Sequence, residues 1–378
     1  PLRPILPATA SMRFIQRFSR LRSVMTTPFP DPETLSVLPD GEIVRCLGLL
    51  LDDSVASPDK AAFLDSLHRR GETAAELAGF ALHLLEMAVR PVLPEKSPGP
   101  LLELCGTGGD RAGYLNVSTA AMFVAAGAGA SVVKHGNRAF SSKCGSADVL
   151  EELGVPLHLH PGRVGEILGE AGCVFLLAVD YHPALAALSP LRRDMAAEGK
   201  LTVFNLLGPL LNPARPEVQL TGIYRPGMLP VYAEAMRLSG RTKAWAVHGQ
   251  GAVASGGVDE LSILGTSLIH EISPAGDSRV FSIRPEDAGL RTAADDSALI
   301  GGDAPVNAAR ILSILGGREQ SPATDMILLN AGAALHLAGV GSTLSESVAF
   351  ATESLRSGKA LRALESLRRA SIEASIAA

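Results

Sequence analysis

The chain has 378 residues, 47% of them hydrophobic and 19% charged, which is enough apolar surface for a large core shared between two or three domains. A formal net charge of -5 excludes a global basic field that would hold nucleic acid or an anionic membrane, so any anion site has to be local. No apolar run reaches the roughly twenty residues of a membrane helix, and Cys46, Cys105, Cys144 and Cys173 are spaced too widely for a zinc ribbon or disulfide framework, which points to a reducing, cytoplasmic setting.

Residues 1–32 stand apart. Arg3, Arg13, Arg17, Arg20 and Arg22 occur there among serines, with no acid in the first thirty positions. Two readings stay open: an organellar transit segment, with import to match, or an upstream extension ahead of Met25. From Asp40 to Val89 the spacing is helical. Ile43, Cys46, Leu47, Leu50 and Leu51 recur on one face, Ser57-Pro58 reads as a cap with proline in the first turn, and Thr73-Ala74-Ala75-Glu76 reads as a capping box. These make a small all-α unit. Residues 91–100, PVLPEKSPGP, read as a stiff linker and a boundary.

Beyond the linker, short apolar strands alternate with helices. Strands are expected at Leu101–Cys105, Ser131–Lys134, Cys173–Val179, Val218–Tyr224, Lys243–His248, Leu261–Leu264, Leu268–Ile272 and Arg279–Ile283. Helices are expected after Ala120 and Ala147 and, late in the chain, from Ser321-Pro322 to Gly339 and from the Thr343–Glu346 box to Gly358. The fold class is α/β: a small N-terminal all-α domain and a large α/β domain with a central, mainly parallel sheet flanked by helices.

The stretch from Leu104 to Leu153 reads as an anion cradle. Gly106-Thr107-Gly108-Gly109-Asp110 follows an apolar strand, and side-chain-free positions let backbone N–H groups crowd around phosphate oxygens. Asn116-Val117-Ser118-Thr119 then opens a helix at its positive end. Lys134-His135-Gly136-Asn137-Arg138 and Ser141-Ser142-Lys143 add cations and donors, and Ser146 starts another helix.

In order and spacing, GTGGD, NVST, KHGNR and SSKCGSADVLEELG resemble the signature series of the anthranilate phosphoribosyltransferases. The likeness extends through Tyr181-His182-Pro183, FNLLGPLLNP at 204–213, Val258-Asp259-Glu260 and Gly301-Gly302-Asp303, covering about residues 35–370. It implies a helical domain of residues 33–97 with a crossing segment near 183–207, and a donor-binding domain of residues 98–182 and 208–378. It also implies a homodimer, with no nucleic-acid or membrane partner.

The implied reaction moves the phosphoribosyl group of 5-phosphoribosyl 1-pyrophosphate onto the amino group of anthranilate, with Mg2+ as cofactor. The aromatic amine is neutral at pH 7, so no residue is expected as nucleophile or base. By motif position, the donor would be held by Gly106, Gly109, Asp110, Tyr114, Asn116, Val117, Ser118, Thr119, Lys134 and Ser146, with Lys134 a mobile charge. The loop His135, Gly136, Asn137, Arg138, Ala139, Phe140, Ser141 and Ser142 would close over it. Gly106, Asn137 and Arg192 would contact anthranilate, and Ser118, Asp259 and Glu260 would hold magnesium. His135 and His182 would line the acceptor channel, whereas His158 and His160 read as structural.

The sequence departs from the family pattern at Arg111 and Tyr114, where glycine and a small hydroxyl residue are usual. It is also longer at Asp194–Leu201 and at Gly251–Gly256. The rival expectations are a pyrimidine-nucleoside-phosphorylase-like enzyme and a nucleic-acid-binding paralogue of the same fold.

Overall fold

The computed structural model describes residues 28–95, 97–139, 143–252 and 256–376, so the arginine-rich N-terminal segment lies mostly outside the described residues. The helical periodicity yields α1 (Asp40–Leu51), α2 (Ser57–Arg70) and α3 (Ala74–Met87). The expected Ser57 cap lies one residue too late: Ser57 is already helical, and Ala56 precedes it without a side-chain bond. The Thr73 box forms as expected, with Glu76 N–H on Thr73 Oγ1 at 3.2 Å and Thr73 N–H on Glu76 Oε2 at 2.9 Å. Glu76 is fully buried and also accepts from Leu38 N–H and Arg70, so this cap doubles as a tie between segments. Leu47 and Leu50 are buried within this core of the single chain.

The described residues of the proline-rich stretch 91–100 form neither helix nor strand, yet they are tied to the rest of the chain. Val92 N–H bonds Pro161 O at 2.8 Å, Gly165 N–H returns to Val92 O at 2.9 Å, and Ser97 Oγ lies 2.8 Å from Ser131 Oγ.

Seven strands follow: β1 (Leu101–Gly106), β2 (Ser131–Gly136), β3 (Cys173–Leu177), β4 (Val218–Gly222), β5 (Lys243–Gly249), β6 (Ser267–Ile272) and β7 (Ser278–Ile283). They lie in the order β3-β2-β1-β4-β5-β6-β7, parallel from β3 to β5 and antiparallel at the last two pairings. The chain runs outward from β1 to β3 and then returns to β4 on the other side of β1. That reversal puts a crevice at the carboxyl ends of β1 and β4, where open α/β sheets bind ligands.

The return path passes through α7 (Ser189–Ala197) and short turns. Its Leu188, Leu191, Met195, Phe204, Leu206 and Leu207 join the same core as α1 to α3. The opposite face of the sheet is covered by α4 (Val117–Gly127), α5 (Ser146–Glu152), α6 (Val164–Ala171), α9 (Ala304–Leu315), α10 (Pro322–Leu337), α11 (Leu344–Arg356) and α12 (Lys359–Ile376). Helix α8 (Leu229–Leu238) packs between α3 and β5. Among the described residues no helix is long and apolar enough to cross a membrane.

The strand expected at Leu261–Leu264 is not one. Its backbone groups go to side chains instead: Leu261 N–H and C=O both bond Asn330, at 3.0 and 2.8 Å, and Ser262 N–H bonds Ser267 Oγ at 2.9 Å. The segment reverses direction to set up β6, so an apolar run without a free ladder neighbour becomes a turn.

Strand alternation sorts the central side chains by face. Leu102, Leu104, Val218, Leu220, Trp245 and Val247 enter the large core, while Ala244 and Ala246 enter the helical one. Glu103, Cys105, Gln219 and Thr221 fall between these registers on the helical side, where a buried polar belt forms. Arg241 is its centre, donating to Gln219 Oε1 (2.7 Å) and to the carbonyls of Ser239 (3.2 Å), Pro209 (3.5 Å) and Leu210 (3.3 Å). Gln219 in turn donates to Pro209 O at 2.7 Å, and Tyr232 to Leu206 O at 2.8 Å. The belt fastens residues 206–210 to the sheet.

Removing one partner from such a buried set leaves the others desolvated and unpaired. Arg241→Ala should therefore lower unfolding free energy by about 3–5 kcal/mol in urea titration. Arg241→Lys, lacking the planar fork, should recover only part. A loss below about 1 kcal/mol for the alanine variant would mean the belt is not a structural tie.

Candidate active site

Strand β1 ends at Gly106 and β4 at Gly222, which are register partners, and the segment carrying Asp259 passes directly over both ends. A Cβ at Gly106 would run into the Asp259 carboxyl, and one at Gly222 into the Asp259 backbone carbonyl. Close approach, not turn geometry, is what demands glycine here. Val258 holds the segment in place by exchanging two backbone bonds with Gly249, at 2.8 and 3.0 Å.

From Gly106 the chain enters the Thr107–Gly113 loop. Thr107 N–H bonds Gly222 O at 2.9 Å, and Thr107 Oγ1 accepts from Tyr224 N–H at 3.2 Å. Gly108 N–H donates to Asp259 Oδ2 at 2.6 Å, and Gly109 lies against the Tyr224 ring. Arg111 takes a left-handed φ of +57°, the conformation in which glycine is unstrained, and Asp110 Oδ1 accepts from Ala112 N–H at 3.2 Å beside it.

Lys134 requires a correction. It was expected as a mobile charge, yet it sits within strand β2, 2% exposed. Its Nζ donates to Leu104 O at 2.7 Å and to Ser118 Oγ at 3.1 Å, so the charge is fixed. Burial lowers its pKa, opposed by nearby acids including Glu103, Glu260 and Asp259. Two of its three donors are used, which leaves one to point elsewhere.

The acids crowd together. Burial raises Asp259 well above the usual carboxyl range, reinforced by Asp110 and Glu260. Burial likewise pushes Glu260 up to about 7, against the pull of Lys134, while its carboxyl accepts from Ser118 N–H. Ser118, in the first turn of α4, thus bridges the lysine and the acids. An oxygen-only set of Ser118, Asp259 and Glu260, with its acids starved of positive charge, suits magnesium. Among the described residues no three acid, histidine or cysteine side chains converge into a cage, so an ion here would be held largely through water and phosphate oxygens.

The structure therefore gathers Gly106, Gly109, Asp110, Ser118, Lys134, Asp259 and Glu260 in one crevice. Other expected residues are employed differently. Asn116 donates to Cys144 O (3.2 Å) and accepts from Asn307 (3.0 Å), and Asn307 also binds Gly302 N–H (2.7 Å), which accounts for the Gly301-Gly302-Asp303 motif. Val117 is buried in the large core, its N–H bonded to Leu115 O at 2.6 Å, and Thr119 is buried.

Asn137 is exposed at the start of the loop after β2. Arg138, expected over the donor, instead pairs with Glu151 (2.7 Å) and Asp148 (3.3 Å). Ala139 N–H goes to Asp148 Oδ2 at 2.8 Å. Ser146 is the first residue of α5 and packs over Gly136, where a Cβ would meet its Oγ at 2.7 Å. Phe140, Ser141 and Ser142 lie outside the described residues, as do residues 253–255 of the second insertion. Tyr114 turns its hydroxyl to Asp296 Oδ2, 3.0 Å away.

Of the two neighbouring arginines on α7, Arg193 is exposed and Arg192 half-buried, its guanidinium 5.5 Å from the Phe204 ring centre. Burial lowers the Arg192 pKa. His158 bonds Asp180, twenty-two residues on, and His160 accepts from Gly162 N–H in a local tie. Sequence reasoning missed Glu103, whose Oε1 accepts from His135 N–H at 3.1 Å and which burial pushes up to about 7 against the charge of Arg241. It also missed Tyr224. A position just beyond β4 at the sheet's reversal would have signalled the tyrosine, whereas nothing local marks Glu103.

His135 and His182 are buried edge to face, ring centres 5.2 Å apart, and His182 Nε2 lies 2.7 Å from Leu211 O. Burial lowers the His182 pKa to about 4. Between pH 6.5 and about 4 the unfolded chain binds the proton and the folded chain does not, so this site's stability is lost as pH falls through that window, about 1.4 kcal/mol per pH unit. Urea titrations of the wild type and His182→Gln should show the wild-type advantage shrinking on acidification from 6.5 to 4. A pH-independent gap contradicts the assignment.

Comparison with known proteins bears on this crevice. Residues 98–361 match the model of a glycosyl transferase family, a/b domain. The chain is 42% identical over 334 residues to an anthranilate phosphoribosyltransferase of Rubrobacter xylanophilus, covering 88% of this chain and 94% of that one. It is 45% identical over 314 residues to one of Roseiflexus castenholzii, covering 83% and 88%. Among solved structures, the anthranilate phosphoribosyltransferase of Thermus thermophilus superposes with a TM-score of 0.79 at 40% identity, over 89% of this chain and 96% of that one. The Saccharomyces cerevisiae enzyme in complex with PRPP and Mg gives 0.77 at 27% identity, over 88% and 92%.

Proposed function

Because the chain belongs to the anthranilate phosphoribosyltransferases, within the glycosyl transferase family, we propose that its crevice joins anthranilate to 5-phosphoribosyl 1-pyrophosphate, giving N-(5-phosphoribosyl)anthranilate and pyrophosphate. The observation that carries the reading is the meeting of a fixed lysine, a helix start and an acid pair around a glycine loop, at the sheet's reversal point.

Each group has a task that its position suits. Backbone N–H groups in the second half of the glycine loop, at Gly109 and Asp110, and the positive end of α4 receive phosphate oxygens. Lys134, held by Leu104 O and Ser118 Oγ, offers its remaining N–H to the pyrophosphate as a charge already in place, with no side-chain freedom left to lose. Ser118, Asp259 and Glu260 would hold magnesium, which when bound neutralises the pyrophosphate charge. Arg192 faces the acceptor carboxylate from α7. The C1–oxygen bond to pyrophosphate breaks as the amine nitrogen bonds to C1, and the amine then releases a proton to water. No residue need act as base, because the attacking lone pair is free in the neutral amine, and positioning with charge stabilisation supplies the acceleration.

The test follows the loss of anthranilate fluorescence with purified protein. Consumption should require both 5-phosphoribosyl 1-pyrophosphate and magnesium, and absence of turnover in the complete mixture would overturn the reading. Arg192→Ala should raise the KM for anthranilate by about 10- to 100-fold, the range for losing a charge-assisted hydrogen bond, with the donor KM within about twofold. Equal losses for both substrates would remove Arg192 from the acceptor site.

A further inference from the structure

Tyr114 stands where a small hydroxyl residue would be expected to meet the donor, yet its ring spans the gap from the phosphate loop to a different part of the chain. Its hydroxyl donates to Asp296 Oδ2 at 3.0 Å, and the Tyr114 oxygen in turn accepts from the Ala252 backbone. The main chain beside it is stitched to the same region: Leu115 N–H bonds Leu299 O at 2.9 Å and Gly301 N–H bonds Gly113 O at 2.9 Å. Gly301 has no room for a Cβ, which would come within 3.0 Å of Leu115 N and Tyr114 O.

We propose that Tyr114 is a positioning residue: its hydroxyl bond to Asp296 latches the C-terminal end of the phosphate loop and acts on the donor through that loop, not by touching the donor. The inference rests on the donor reading above. The first half of the loop is held at Thr107 and Gly108, whereas its second half, where Gly109, Arg111 and Gly113 have positive φ, is tied to the rest of the chain through Tyr114 and its neighbours. A loop of that kind binds a polyphosphate well only if its conformation is paid for in advance by contacts outside the ligand. This corner supplies three, one from the Tyr114 side chain and two from the adjoining backbone, and all lead to residues 296–301. Burial, and then the Asp296 carboxylate, push the Tyr114 hydroxyl up to about 12, so it remains a donor throughout the working pH range.

The experiment compares Tyr114→Phe, Asp296→Ala, Asp296→Asn and the Tyr114→Phe/Asp296→Ala double variant by steady-state kinetics, and by calorimetric binding of 5-phosphoribosyl 1-pyrophosphate with magnesium and no anthranilate. Tyr114→Phe and Asp296→Ala should each raise the donor KM and Kd by about 5- to 20-fold, with kcat and the anthranilate KM within about threefold. The double variant should be no worse than either single one, and Asp296→Asn, which keeps an acceptor, should bind the donor as the wild type does. A rise for Tyr114→Phe with none for Asp296→Ala would mean that the hydroxyl touches the donor directly and would overturn the proposal. So would multiplying effects in the double variant, or unchanged donor affinity in both single ones. The calorimetric arm reads the latch independently of turnover, so failure of the transferase reading and failure of the latch give different results.

Discussion

The site depends on one steric constraint: the backbone around Asp259 must lie across the ends of β1 and β4, and only glycine at 106 and 222 lets it do so. Everything else in the crevice is placed relative to that crossing. Asp259 reaches Gly108 N–H because the segment is close, Glu260 reaches the first turn of α4 for the same reason, and Lys134 completes the set from the neighbouring strand. An acid pair brought this near to the glycine loop would repel a bare phosphate. A divalent cation held by this pair would turn that repulsion into attraction, a task the single charge of Lys134 would not cover alone.

The second constraint lies beneath the crevice. Arg241 and Gln219 hold the carbonyls of residues 209 and 210, so the returning chain that carries α7 and Arg192 is fastened to the sheet that carries the glycine loop. A buried cation is acceptable there because it meets several acceptors and lies within the field of Glu103. In the proposed reaction both substrates would be referred to this single frame, and two-substrate reactions gain rate from fixed relative placement of that kind.

Local signals were the legible part of the sequence. The Thr73 and Glu76 box, the glycine loop and the alternation of strands and helices were readable because their partners lie within a few residues or follow strand periodicity. The state of Lys134 was not, since a lysine in KHGNR looks solvated until the strand is seen to run on through Gly136. Arg138 pairs with Glu151 and Asp148, thirteen and ten residues on, partners that no loop-level reading would give it. Glu103 and Arg241 went unnoticed because long-range burial, and not pattern, gives them their work. Leu261–Leu264 failed as a strand because an apolar run cannot reveal that Asn330 takes its backbone bonds.

The most direct measurement is calorimetric titration of Gly106→Ala with 5-phosphoribosyl 1-pyrophosphate and magnesium, alongside thermal unfolding of the same variant. Displacing the Asp259 carboxyl should weaken donor binding by about tenfold or more, the scale of one lost charge-assisted contact, while the fold persists. A folded variant that binds the donor as tightly as the wild type would contradict the account, because the Asp259 crossing would then not be what shapes the site.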